Sequence, residues 1–347
     1  MEQSNELDQA EILSMFSNSD TDFTKGLYSL KYLSREIIEK NFSMKDAIEA
    51  VKKAFSMTEK GMIDVPLRMA LKAEEGTLLF MPAYSAELGI AVLKNVNVFP
   101  NNAKAGLNTT PGEILLIDAT TGYSKAVLDG TYVTEIRTGA ASGAAFDILG
   151  KKNCRKGALI GTGGQAEAQL EAMITARDLE EVSIYSRNPE RRNAFVERVK
   201  KKFASSGVAF RSEDSADKCV EDADLIIAVT TSDKPVFDGS LVKKGATVSC
   251  VGTYEPNKHE VDFTLIGRAD KIYCDFVDAV LSESGDILLP IQEGIITKDD
   301  ICGGLGEVIN GDLKGRESDD EIIVYETVGI AAQELVTAGM IFDCAGL

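Results

Sequence analysis

The spacing of apolar residues changes twice along this 347-residue chain, and each change marks a different kind of structure. Residues 1–27 are polar and acidic with no sustained apolar period, which predicts a loosely docked extension. Two helix openings follow: Ser34 ahead of Ile37 and Ile38, and Ser43 with Asp46 three residues on. After the second, Ala47, Ile48, Val51 and Phe55 recur at about 3.6-residue spacing and share one helix face. From 65 to 129 the pattern becomes short alternating runs punctuated by turn residues. Segments 77–81, 90–98, 113–118 and 123–128 are expected strands, with Thr120, Thr121 and Gly122 closing a hairpin between the last two. A helix rich in alanine and glycine is expected over 133–149, where small side chains allow close approach by another backbone or a ligand.

Beyond Gly157 continuous apolar strands alternate with helical segments, the pattern of a parallel sheet buried on both faces. The expected strands are 158–160, 182–185, 225–229, 247–252 and 271–274. Near the end, 319–335 is expected to be a helix that returns to the first half.

Gly161-Thr162-Gly163-Gly164-Gln165-Ala166 stands between the strand ending at Ile160 and a helix expected over 165–177. In that context Gly161 permits a tight turn, Gly163 lets backbone approach a pyrophosphate, and Ala166 keeps the helix close to the sheet. The helix start supplies amide donors for the anion. The motif predicts an α/β fold with a Rossmann dinucleotide-binding domain. An NAD-type site usually carries a carboxylate about 20 residues further on. Here the strand 182–185 runs into Ser186, Arg187 and Asn188, then Arg191 and Arg192, with no acidic residue at that place. Guanidinium groups suit a 2′-phosphate, which favours NADP over NAD; the other reading has Arg187 or Arg191 stacked on adenine or facing solvent. Val229 and Thr230, at the end of DLIIAVTT, can lie across the dinucleotide.

Charge and composition narrow the class further. A formal charge of −18 disfavours a nucleic-acid partner, and the cluster Lys200, Lys201, Lys202 reads as a solvated helix end. Six cysteines without a CxxC pair predict reduced thiols in a cytoplasmic protein. A single histidine, His259, argues against an ordinary metal site, and no apolar run reaches membrane-spanning length.

Further motifs join these: VPLR at 65–68, MPAY at 81–84, LKNVNVFP at 93–100, GLNTT at 106–110, LLIDATTG at 115–122, LDGTYVTEIRTGAAS at 128–142 and SDDEIIVYETVG at 318–329. Together with GTGGQA they resemble the ornithine cyclodeaminase/mu-crystallin family over residues 28–335. The resemblance implies a homodimer whose α+β substrate and dimerisation domain combines the N-terminal part (28–140) with the C-terminal helix (318–347), around a Rossmann domain at 141–317. It also implies that Arg68, Lys94 and Arg137 bind a substrate carboxylate and that Thr109 lies near the nicotinamide. Such a clamp would orient a small amino or imino acid, and Lys94, beside two guanidinium groups, would have a lowered pKa and be able to move a proton.

One departure bears on the reaction. Where ornithine cyclodeaminases carry an aspartate in a pattern like GGDCP, this chain has Tyr254 in Gly252-Thr253-Tyr254-Glu255-Pro256. A phenol is a poor general base near neutrality, and Glu255 is the alternative carboxylate. The segment looks more like that of the family's ketimine reductases, which reduce 1-pyrroline-2-carboxylate or 1-piperideine-2-carboxylate to L-proline or L-pipecolate. Three other readings stay open: an ornithine cyclodeaminase with bound NAD, a linear amino-acid dehydrogenase, and a non-catalytic nucleotide-binding protein.

Overall fold

The computed structural model describes residues 30–66, 68–253 and 255–346. The extension expected over 1–27 lies outside the described residues, as does Tyr254.

The first half builds β1 (Lys31–Leu33), α1 (Arg35–Asn41), α2 (Met44–Glu59), β2 (Met69–Lys72), β3 (Thr77–Ser85), β4 (Ile90–Val98), β5 (Gly112–Asp118), β6 (Ser124–Asp129) and α3 (Gly130–Leu149). Ser43 and Asp46 form the expected reciprocal cap on α2. The strands join in the order β1-β6-β5-β4-β3-β2, antiparallel except for the β1–β6 pair. Alternation turns Met81, Ala83, Val92, Lys94 and Val96 inward onto the helices. Tyr32, Met69, Leu71, Tyr84 and Leu93 stay exposed on the opposite face.

The second half builds β7 (Lys156–Ile160), α4 (Ala166–Ala176), β8 (Glu181–Tyr185), α5 (Pro189–Lys202), β9 (Ala209–Ser212), α6 (Ala216–Val220), β10 (Leu225–Ala228), β11 (Thr247–Cys250), α7 (Phe263–Arg268), β12 (Lys271–Cys274), α8 (Val277–Glu283), α9 (Gly285–Gln292), β13 (Ile301–Gly304), α10 (Leu305–Asn310), β14 (Ile323–Glu326) and α11 (Ala331–Cys344). Its parallel strands run β13-β12-β14-β11-β10-β7-β8-β9. The chain reverses direction across the sheet between β7 and β10, the switch point at which open α/β sheets bind ligands. No helix among the described residues is long and apolar enough to cross a membrane.

Small residues on α3 let it contact two other helices. A Cβ on Gly139 would come within 2.6 Å of the Ala168 carbonyl carbon on α4, and one on Gly143 within 2.7 Å of Ile48 on α2. The close approach expected of this helix is therefore made by other helices.

The helix expected over 319–335 is a correction. Residues 323–326 form β14, buried throughout between β11 and β12, and the helix begins only at Ala331. A strand covered on both faces is apolar at every position, so Ile322, Ile323 and Val324 satisfy helical spacing and strand burial equally. Gly329, at φ +79°, turns the chain between the two. The expected division at 140/141 and 317/318 changes accordingly: α3 runs unbroken across the first boundary, and β14 belongs to the large sheet.

Asp224 ties the base of this sheet together. Its Oδ2 accepts the Arg155 and Lys156 amides at 2.7 and 3.1 Å, and its Oδ1 lies 3.2 and 2.9 Å from Lys151 and Lys243. Burial opposes its ionisation, but the amides and lysines outweigh burial and hold the carboxyl at about 2, against 3.8 ordinarily. A depressed folded-state pKa stabilises above the unfolded value and is lost as pH falls through the folded one. Asp224→Asn is expected to lose about 2 kcal/mol at neutral pH in urea unfolding, with the gap from wild type closing between pH ~4 and ~2.

Candidate functional site

The glycine-rich loop sits at the switch point. Gly161 has φ +115°, and a Cβ there would collide with the Val229 carbonyl, so the loop and the end of β10 are in contact. Gly163 and Gly164 have nothing within 4 Å of an added Cβ, which leaves open space above their backbone. Gln165 precedes α4 without a side-chain cap; Ala166 N donates to the Gly163 carbonyl at 3.2 Å, and no side chain among the described residues occupies the amides of the first turn that follow it. Ala166, fully buried, seats the helix on the sheet. This arrangement fits a dinucleotide pyrophosphate.

Thr162 Oγ1 donates to Ser186 Oγ at 3.0 Å, linking the loop to the end of β8. Asn188 caps α5 by accepting the Arg191 amide at 2.9 Å. Arg187 is exposed and has no ion pair among the described residues. Arg192 turns inward instead, bonded to Ser212 at 2.8 Å and Asp214 at 2.7 Å, and so serves the sheet edge. The basic cluster on α5 behaves as a helix end: Lys200 pairs with Glu197, and Lys202 with Glu167 and Glu171.

The three cations singled out in the sequence form one chain of contacts: Lys94 and Arg137 meet on Glu334, and Arg137 and Arg68 meet at Gly329. Lys94 comes from the inward face of β4, Arg137 from α3, and Arg68 from the segment before β2. Lys94 Nζ donates to Glu334 Oε1 at 2.5 Å, and Arg137 Nε lies 2.7 Å from that same oxygen, off the hydrogen-bonding direction. Arg137 Nη1 donates to Gln333 Oε1 at 3.0 Å. Arg68 Nη2 donates to Glu283 at 2.7 Å and to the Gly329 carbonyl at 3.1 Å. A Cβ on Gly329 would stand 2.5 Å from Arg137 Nη1, so the guanidinium lies directly on the turn. Asp275 fixes the turn by accepting the Gly329 amide at 2.7 Å and the Thr327 hydroxyl at 2.8 Å.

Lys94 and Glu334 are 1% and 0% exposed, so their charges meet in a low-dielectric interior. Burial is the first cause of the lowered Lys94 pKa, about 8; Glu334 opposes it, and Arg137 and Arg68 add to it. Burial, rather than the guanidinium groups expected from the sequence, is thus the main cause of the lowering. Burial also works against Glu334 ionisation, but Arg137 and Lys94 outweigh burial and keep the carboxyl below its usual range. Burial raises Glu283.

Beside these groups lies a cavity of about 190 Å³, lined by Arg68, Glu283 and Asp278 on its polar side and by Met81, Phe276 and Ile330 among its apolar walls. Thr109 is half-buried in the loop after β4, where its carbonyl accepts the Phe99 amide at 2.8 Å; nothing among the described residues bonds it to the glycine loop. Glu255 is ion-paired to Lys258 at 2.5 Å.

The carboxylates were missed in the sequence. Gln333, Glu334 and Thr337 interrupt the apolar face of the last helix, and polar residues on a buried face are the signal that was available.

Comparison with known proteins agrees with this architecture. The family model described as ornithine cyclodeaminase/mu-crystallin family matches residues 31–346. A Delta(1)-pyrroline-2-carboxylate reductase of Bacillus cereus (strain ZK / E33L) is 36% identical over 282 residues, covering 81% of this chain and 86% of that protein. Among solved structures, the Thermococcus litoralis Delta(1)-pyrroline-2-carboxylate reductase in complex with NADH and L-proline superposes with a TM-score of 0.86 at 36% identity, over 91% of this chain and 97% of that one. An archaeal alanine dehydrogenase dimer with bound NAD gives 0.84 at 33% identity, over 91% and 96%. With a glycine loop open at the switch point, Arg68 and Arg137 at the Gly329 turn and Lys94 paired to Glu334, the chain belongs to the ornithine cyclodeaminase/mu-crystallin family.

Proposed function

We propose that this chain is an NAD(P)H-dependent reductase of cyclic imino acids, converting 1-pyrroline-2-carboxylate or 1-piperideine-2-carboxylate to L-proline or L-pipecolate. The observation that carries the reading is the linked set of Arg68, Arg137 and Lys94: Arg68 lines a cavity and meets Arg137 at Gly329, and Arg137 shares Glu334 with Lys94. The relatives named as pyrroline-2-carboxylate reductases support the same substrate class.

Reducing a C=N bond takes a hydride on carbon and a proton on nitrogen, and the bound nicotinamide supplies the hydride. This chain's residues orient the acceptor and handle the proton. Arg68 presents forked donors toward the cavity and binds the carboxylate on exchange with Glu283. Arg137, held by Glu334 and Gln333, keeps the turn and the second edge of that clamp in place. Lys94, still largely protonated at neutral pH, is the proton source for the amine nitrogen. Thr162, Gly163, Gly164 and Gln165 cradle the pyrophosphate, with Val229 and Thr230 lying across the dinucleotide and Thr109 toward the nicotinamide ring. Tyr254 replaces the carboxylate that ammonia loss needs, which favours the reductase over the cyclodeaminase.

Arg187, exposed and without an ion pair among the described residues, and the absence of an acidic residue directly after β8 in the sequence favour NADP. The apolar side chains Tyr32, Met69, Leu71, Tyr84 and Leu93 on the outer face of the first sheet support a homodimer, and unpaired cysteines support a cytoplasmic location.

Cofactor absorbance should fall when the enzyme meets either cyclic imine. Consumption of ornithine with ammonia release and no net cofactor change would instead make it a cyclodeaminase. Turnover confined to pyruvate plus ammonia would make it an alanine dehydrogenase, a reading that the similarity to the archaeal enzyme keeps specific.

The Lys94 assignment sets the pH profile: kcat/KM should hold through neutrality and fall above pH about 8, as the ammonium is lost. Lys94→Arg should abolish that alkaline limb along with most of the rate; an unchanged limb would take the proton role away from this residue. For the cofactor, Arg187→Ala should raise KM for NADPH roughly 10- to 100-fold and leave NADH nearly unchanged. Equal effects on both cofactors would remove the NADP preference.

A further inference from the structure

Beneath the ends of β10 and β11 lies a buried carboxylate that the clamp and the glycine loop leave unexplained. Glu260 is fully buried, and each of its oxygens takes a backbone amide from a different strand end. Oε2 accepts Thr230 N at 2.7 Å, and Oε1 accepts Gly252 N at 2.6 Å and Val251 N at 3.3 Å. Gly252 has no room for a side chain, because a Cβ would lie 2.6 Å from Glu260 Oε2 and would strike the Thr230 carbonyl. Glu260 is itself anchored: Asp286, at the start of α9, accepts the Glu260 and Val261 amides at 2.8 and 3.0 Å through one oxygen.

A doubly wound sheet binds the two nucleotide halves on either side of its switch point. The glycine loop after β7 serves one half, and the turns after β10 and β11 border the other. We propose that Glu260 is a positioning residue that ties these two turns together and so shapes the nicotinamide half of the dinucleotide crevice. This rests on the reading of the chain as a nicotinamide-dependent enzyme.

The chemistry of the latch explains why a carboxylate is used. Glutamine would offer one acceptor oxygen and turn an NH2 toward an amide N–H, so it could not receive both strand ends. A carboxylate can, although burial and the nearby Asp286 raise its pKa. Glu326 on β14 and Asp275 after β12 are buried close by, with His259 beside Asp286 and the Cys250 thiol at the end of β11. Protonation of Glu260 converts one acceptor into a donor and loosens the same two turns.

The test compares NADPH with 2′-phospho-ADP-ribose, which lacks the nicotinamide ring, by titration calorimetry on the full chain. Glu260→Gln should weaken NADPH roughly tenfold or more and leave the ring-less analogue within about twofold. Equal weakening of both would reveal a merely structural group, and no weakening of either would show that the latch does not shape the site; both outcomes overturn the proposal. Glu260→Asp, with both acceptors on a shorter stem, is the second variant and should show a smaller loss, again confined to NADPH. In the wild type the preference for NADPH over the analogue should shrink from pH ~8.5 to ~5.5, and titration of the shared 2′-phosphate cancels in the ratio. A flat ratio overturns the proposal as well. Failure of the wild type to bind either NADPH or NADH would sink the cofactor reading itself, separately from the role of Glu260.

Discussion

Glu334 gives one oxygen to two cations, and much of the site's geometry follows from that sharing. Lys94 would be costly to bury alone, and so would Arg137; the carboxylate between them makes both positions tolerable. Each group comes from a different element, β4, α3 and α11, so the pair of contacts also fixes how the last helix sits on the first sheet. Gly329 then has to lack a side chain, because Arg137 occupies the place where a Cβ would stand. Asp275 holds the turn in the conformation that only glycine adopts readily at φ +79°.

Where the sequence was legible, local physics decided the outcome. Ser43 and Asp46 announce a helix start by chemistry that involves no distant partner, and they form that cap. β4 spans the 90–98 segment read as a strand, and in the structure Lys94 lies on its buried side with Val92 and Val96. The glycine loop was equally readable, because its strand, turn and helix are contiguous.

Where it was not legible, distant residues made the choice. The apolar run at 322–324 becomes strand because β11 and β12 leave a slot between them, and that slot exists only in the assembled sheet. Glu334 and Glu260 were invisible for a related reason. A carboxylate in a sequence reads as a solvated position until its partners are known, and here those partners are 240 residues away at Lys94 and 30 away at Thr230. Arg192 shows the converse: counted among the basic groups near the adenosine end, it is used up by Ser212 and Asp214.

The chain's net charge explains why these groups are buried rather than spread over the surface. With a formal charge of −18, the protein repels an anionic imino acid and an anionic dinucleotide at long range. Attraction must therefore act within a few ångströms, inside a screening length of about 8–10 Å at ordinary salt. A cation in the interior loses less of its field to solvent than one on the surface, provided that a counter-charge keeps it tolerable. Glu334 supplies that counter-charge without cancelling the site, since Lys94 and Arg137 together carry one positive charge more than it removes. Without it, two buried cations would be left uncompensated.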